Sequence, residues 1–122
     1  MFKIMDLASV EAIPMDGGRG TKKKLVDTRL GTHAVDVHFN SLSSGRPRGK
    51  LHKHSVADNV YIVHRGKGEL VVENEIHTIR KGQIIFIPAG MKHSLSNLSD
   101  EPFEIFEIYA PAGDRFDFIA CE

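Results

Sequence analysis

The stretch GQIIFIPAGMKHSLSN, residues 82–97, decides how this chain folds. Residues 84–87 are a β-branched and aromatic run, too short for a helix and bounded by Gly82 and Pro88. Pro88 has no N–H to offer a ladder, so it ends the strand. After the turn at Gly90 the chain alternates: His93, Leu95 and Asn97 fall on one face, and Lys92, Ser94 and Ser96 on the other, where their polarity suits solvent. Roughly forty residues earlier stands His52-Lys53-His54. An i, i+2 pair on a strand points both imidazoles the same way, with Lys53 outward. Two strands thus aim His52, His54 and His93 at a common interior. Burying three imidazoles without a partner is costly, and three neutral imidazole nitrogens suit a divalent ion bonded at ~2.0–2.1 Å. The expected cofactor is one divalent metal ion, with iron, zinc, nickel, copper and manganese all open.

The remainder of the chain reads as the scaffold for those side chains. Strict period-two alternation begins at His33, with Val35, Val37 and Phe39 on one face and Ala34, Asp36 and His38 on the other. Further strands are expected around residues 51–54, 59–64, 69–72, 76–79, 84–87, 93–98 and 103–109, each bounded by Gly, Pro, Asn, Asp or Ser. Gly66 and Gly82 mark hairpin turns, and Glu73-Asn74 marks another, with Asn74 suited to positive φ. Residues 1–15 fit either a short strand or a turn of helix; the glycines of 17–20 make a loop, and Lys22-Lys23-Lys24 reads as a solvated entrance to a strand at Leu25-Val26 or as an anion-steering edge. Many short strands with no competing amphipathic helix predict an all-β sandwich or barrel, with a jelly roll the natural form.

Composition sets the outer limits. The 122 residues suit one domain spanning 1–122, and 41% hydrophobic with 26% charged residues is the balance of a globular protein. Lys and Arg together number 16, as do Asp and Glu, and this zero net charge argues against binding nucleic acid through bulk charge. Lys3 and Asp6 interrupt the first apolar residues, and no run of apolar residues is long enough to span a membrane. A cytoplasmic location is therefore expected, consistent with a lone cysteine, Cys121, that has no partner for an internal disulfide.

Gly82, Pro88, Gly90, His93 and Asn97, with five, one, two and three residues between them, resemble in full the second conserved motif of the cupin superfamily. Gly45, His52, His54, the position of Asn59 and Gly66 resemble the first, with Gly45 one residue further from His52 than the usual spacing. The resemblance covers about residues 45–97 and implies a double-stranded β-helix barrel, a metal ion inside it and a homodimer. Cupins usually carry a glutamate ligand where this chain has Asn59, with Asp58 next to it on the opposite strand face. An inward Asn59 would offer the ion a neutral amide oxygen, leave its charge uncompensated and favour an anionic group on the substrate. Asn59 and Tyr61, on one strand face with Val63, are the candidate substrate-binding residues. A ligand set of histidines alone resembles that of cupin dioxygenases acting on thiols or diketones.

Other polar residues admit two readings each. His33, His38, His64 and His77 read as satisfied polar residues near the surface, although the strand face of His38 is not assignable. Glu107 shares a face with Phe103, Ile105 and Tyr109; it is either a general base in an apolar setting or a surface glutamate. Arg46, Arg48, Lys50 and Lys53 either draw anions to a barrel mouth or form a solvated loop. Three functions follow: a metal-dependent, dioxygenase-like enzyme on a small anionic organic substrate; a metal-dependent isomerase or epimerase of a sugar or sugar phosphate; or a non-catalytic module that binds a metal or small ligand. In each case the partner is a small molecule, and neither nucleic acid nor membrane is expected.

Overall fold

The computed structural model of the chain describes residues 2–45 and 49–121. Its strands are β1 (Ile13–Pro14), β2 (Gly20–Val26), β3 (Asp36–Leu42), β4 (His52–Lys53), β5 (Asp58–Arg65), β6 (Lys67–Val72), β7 (Glu75–Arg80), β8 (Ile84–Ile87), β9 (His93–Ser96), β10 (Phe103–Ala110) and β11 (Ile119–Ala120). They form two antiparallel sheets, one in the order β1-β2-β3-β10-β5-β8 and the other in the order β11-β4-β9-β6-β7. The fold is the all-β jelly roll expected from the strand and turn spacing, in the double-stranded β-helix form that the resemblance implies. Only short 3-10 turns interrupt it among the described residues, and no helix there is long and apolar enough to cross a membrane.

Register explains how the barrel is filled. Along β10 the inward residues are Phe103, Ile105, Glu107 and Tyr109; β3 sets Leu42, Asn40, His38 and Asp36 beside them, and β5 sets Val63, Tyr61 and Asn59 beside the last three of the four. The barrel is therefore apolar at one end and polar at the other. Leu42, Val63, Leu70, Ile79, Ile87, Leu95, Phe103 and Ile105 pack with Tyr61 into one buried cluster. Asn40, Asn59, His38, Glu107 and Tyr109 continue the same inner surface toward the histidines.

The alternation of β3 was correctly legible, but its polar side faces the interior. Val37 and Phe39 look outward, where Phe39 is buried under the rings of Phe106 (4.9 Å) and His64 (5.7 Å). The outer face of the six-stranded sheet is apolar as well. The register places Ile62 beside Ile84 and Phe106, and Val60 beside Phe86 and Ile108. Ile84 and Phe86 remain 71% and 62% exposed.

Several local expectations need correction. Lys22, Lys23 and Lys24 lie within β2 rather than before it, because Gly20–Val26 pairs along its length with β3. The strand expected from His33 begins at Asp36 and runs on to Leu42. The positive φ in the β6–β7 turn falls on Glu73 (φ 52), whose N–H donates to the Lys92 carbonyl (2.8 Å), and not on Asn74. Ser94 and Ser96 are buried, not solvent-facing: the Ser96 hydroxyl accepts the Gly49 N–H (3.0 Å) as the chain approaching β4 crosses it. Residues 2–15 hold both a 3-10 turn, Leu7–Ser9, and β1. Of the basic group expected around the approach to β4, Arg46 and Arg48 lie outside the described residues.

Gly66 and Gly82 both take positive φ, +77 and +88. A Cβ on Gly66 would overlap the Pro102 carbonyl, whereas one on Gly82 meets nothing within 4 Å. The two turns thus separate backbone strain from steric collision. Gly82→Ala is expected to cost about 1–2 kcal/mol, the penalty of a left-handed L-residue, partly offset by lower unfolded-chain entropy. Gly66→Ala should cost clearly more, read as the larger drop in urea midpoint.

Candidate metal centre

The three motif histidines meet. His52 on β4 pairs across to His93 on β9, and His54 follows immediately after β4. Their ring centroids are 4.4 Å (His52–His93), 5.0 Å (His52–His54) and 5.3 Å (His54–His93) apart. One ring nitrogen from each lies within 4.8 Å of the others, and His54 and His93 are fully buried.

What aims them is a set of backbone carbonyls. The Nδ1 of His52 is 2.8 Å from the Lys50 carbonyl, that of His54 2.6 Å from the Asp117 carbonyl, and that of His93 2.9 Å from the Met91 carbonyl. A carbonyl only accepts, so each Nδ1 carries the proton and each Nε2 presents a lone pair. Burial, opposed by the Lys50 hydrogen bond, lowers the His52 imidazolium to about 4; burial likewise lowers that of His93. At neutral pH both rings are therefore neutral, the form that binds a metal.

Asn59 on β5 faces this cluster and is 1% exposed. Its amide nitrogen is 3.3 Å from His93 Nε2 and donates to the Tyr61 hydroxyl at 3.3 Å. Asn59 Oδ1 and His54 Nε2 are buried without a hydrogen-bond partner. Orphaned buried acceptors cost free energy, and the unpartnered His54 Nε2 beside the imidazoles of His52 and His93 belongs to a donor set that fits a divalent ion, with Asn59 turning its amide nitrogen toward His93. Asp58 points away, as its strand position requires, and its carboxylate accepts the Ala89 N–H (3.0 Å).

The far wall carries the site's other acid. Glu107 is 6% exposed and accepts a hydrogen bond from the Asn40 amide at 2.7 Å. Burial, reinforced by the Glu107 charge, pushes the phenols of Tyr61 and Tyr109 well above their usual range, so both stay protonated. Its charge also acts on His38, His52 and His93. The interior reading of Glu107 is the observed one, and the surface reading of His38 is corrected: β3 carries it inward beside Glu107, with its Nδ1 buried and unpartnered. His33, His64 and His77 are exposed as expected.

A cleft of about 480 Å³ opens between β7 and β8. Its walls include Leu70, Val72, Ile79, Ile85 and Met91. Val72 is the register partner of His93, and the Met91 carbonyl holds the His93 ring, so the cleft lies beside the strand that carries His93, although none of the three motif histidines lines it. The sequence reading missed a second boundary of the site. Phe118 stacks on His52 (4.2 Å, 16° between planes), and Phe116 packs on His54 (4.8 Å) and Tyr109 (4.6 Å). The alternating Phe116-Asp117-Phe118 was the available signal.

Two facing antiparallel sheets with imidazoles converging inside one end define a double-stranded β-helix protein with a candidate three-histidine metal centre. The chain belongs to the cupin family: the sequence profile described as "Cupin domain" matches residues 40–109. Among curated relatives, the pectin degradation protein KdgF of Dickeya dadantii is 28% identical over 102 residues, covering 84% of this chain and 86% of that protein. An uncharacterized protein of Methanocaldococcus jannaschii is 33% identical over 55 residues, a match spanning 45% of this chain and only 44% of that protein. Among solved structures, the polyketide cyclase RemF from Streptomyces resistomycificus superposes with a TM-score of 0.86 at 19% identity, covering 100% of this chain and 87% of that one. KdgF from Halomonas sp. gives 0.80 at 16% identity, covering 93% and 97%.

This geometry predicts that wild-type protein purified with metal retains it, while His93→Ala loses most of it by elemental analysis. Asn59→Glu should tighten binding by roughly tenfold, about 1.4 kcal/mol for one charge-assisted contact. Equal metal content in wild type and His93→Ala would remove the three-histidine assignment.

Proposed function

We propose that this protein is a metal-dependent enzyme that transfers a proton on a small organic molecule bearing an anionic oxygen. The observation that supports this reading is the convergence of three tautomer-locked Nε2 atoms opposite the buried Glu107 carboxylate. His52, His54 and His93 would hold the ion, and Asn59 would offer its side-chain oxygen as a neutral fourth donor once its amide, whose nitrogen faces His93 Nε2, turns over. When bound, the ion supplies Lewis-acid polarisation of a substrate carbonyl or carboxylate.

The chain's own residues would do the rest. Glu107 accepts the proton from the carbon beside the polarised carbonyl, and the Asn40 amide holds the carboxylate in place. Tyr61 and Tyr109, kept as neutral phenols, donate hydrogen bonds to substrate oxygens. Val72, Ile85 and Met91 line the apolar cleft beside the strand that carries His93. The names of the relatives support an oxygen-rich substrate, one being a pectin degradation protein and another a polyketide cyclase. Oxygen activation of the dioxygenase kind is the second reading, favoured by the all-histidine ligand set.

The test is NMR-detected solvent exchange in D2O with metal-loaded protein, using uronates from a pectin digest and a β-diketone as probes. Deuterium should enter at the carbon next to the carbonyl. Glu107→Gln should slow that exchange by about 10²–10⁴-fold, the usual contribution of a general base, while keeping its metal. Oxygen uptake without exchange would replace proton transfer with dioxygenase chemistry. Neither signal with any divalent metal would leave a binding module.

We further propose that two copies pair through the apolar outer face around Ile62, Ile84, Phe86 and Phe106. The exposure of Ile84 and Phe86 supports this. Wild type should sediment as a dimer and Phe86→Lys as a monomer; a monomeric wild type would discard the pairing.

A further inference from the structure

We infer that the carboxyl-terminal strap, residues 116–121, is a working part of the metal centre, and that Asp117 is the positioning residue through which it acts on His54. The inference rests on the metal-centre reading above. The strap lies beyond residues 40–109, the part matched by the cupin profile.

Three contacts bind the strap to the histidine strand. Ile119 and Ala120 of β11 pair with Lys53 and His52 of β4, and the Cys121 N–H donates to the Leu51 carbonyl (2.8 Å). The Asp117 carboxylate then clamps Ser55: Oδ1 accepts the Ser55 N–H at 2.7 Å, and Oδ2 accepts the Ser55 hydroxyl. With its side chain so held, residue 117 delivers its backbone carbonyl to His54 Nδ1 at 2.6 Å. His52 and His93 take their orienting carbonyls from Lys50 and Met91, two residues away in sequence. His54 takes its carbonyl from 63 residues away.

The consequence is specific. Two histidines are oriented by their own local chain, and the third only when the strap is docked. The Asp117–Ser55 clamp therefore fixes the tautomer and plane of His54, while the stacked ring of Phe118 covers the outer side of His52. Outer partners of this kind commonly change metal affinity by about 10–100-fold. Ser55 is exposed and Asp117 half-buried at the rim, and neither belongs to the buried core cluster, so loosening the clamp leaves the barrel core untouched.

The experiment titrates full-length apoprotein with Co²⁺ and follows its ligand-field spectrum, with chelator competition for affinity. Wild type should bind one Co²⁺. Asp117→Ala and Ser55→Ala should each weaken binding by about tenfold or more and alter the spectrum, with apoprotein melting temperature close to wild type. Asp117→Asn keeps an oxygen acceptor for the Ser55 N–H and should recover much of the affinity. Unchanged affinity and spectrum in both alanine variants would overturn the strap's role while the metal centre stands. A wild type that binds no Co²⁺ would overturn the metal centre itself, and the strap's role with it.

Discussion

Three imidazole Nδ1–H groups are committed to three backbone carbonyls, and that commitment governs how the polar end of the barrel is built. A buried neutral histidine has one donor and one acceptor to satisfy. Giving every donor to the main chain leaves every acceptor pointing inward, and the backbone must then place those carbonyls correctly. That requirement accounts for the irregular approaches to both histidine strands. Residues 49–51 lead into β4 so that the Lys50 carbonyl meets His52, and the turn over 88–91 leads into β9 so that the Met91 carbonyl meets His93. The Gly90 N–H donates to the His54 carbonyl (2.7 Å), tying the two approaches to each other.

The same constraint explains why one end of the barrel is polar. Imidazoles facing an apolar cavity would be left with unmet acceptors, so β3, β5 and β10 bring Asn40, Asn59, Tyr61, Glu107 and Tyr109 to the layers around them. The apolar cluster of Phe103, Ile105, Val63 and Leu42 at the other end supplies the burial that stabilises the sheets. Each of β3 and β10 thus carries apolar residues inward at one end and polar residues inward at the other. On their outer faces Val37, Phe39, Phe106 and Ile108 are apolar, and the polar pair Ser41–Glu104 follows them at the end.

That division marks what was legible in the sequence. Gly66, Gly82, Pro88 and Gly90 act through local backbone geometry, so the strand breaks and the histidine spacing could be read directly. Period-two alternation reveals that two faces differ but not which one is inside. The usual guide, that the apolar face is the buried one, points the wrong way for His38 beside outward Val37 and Phe39. Ser94 and Ser96 are both buried against expectation, and for Ser96 the cover is the chain before β4, a tertiary contact across 47 residues. The strands β4 and β11 have two residues each, too few for a strand periodicity, so the short alternation Phe116-Asp117-Phe118 was the one trace in the sequence of rings docked against the histidines.

Asn59 then carries the electrostatic argument. A carboxylate at that position would neutralise half the charge of a divalent ion, and the amide neutralises none. The nearest buried acid, Glu107, is held across the cavity by Asn40 and sits among the phenols instead of the imidazoles. In the proposed reaction, charge compensation and proton acceptance would be separated in space: the three histidines and Asn59 bring no anion to the ion, and Glu107 lies on the sheet facing the histidine strands. A substrate with its own anionic oxygen would complete the first side and present its neighbouring carbon to the second, so that binding and exposure to the base would be a single event. A neutral molecule of the same shape would leave the ion uncompensated and would be rejected on electrostatic grounds.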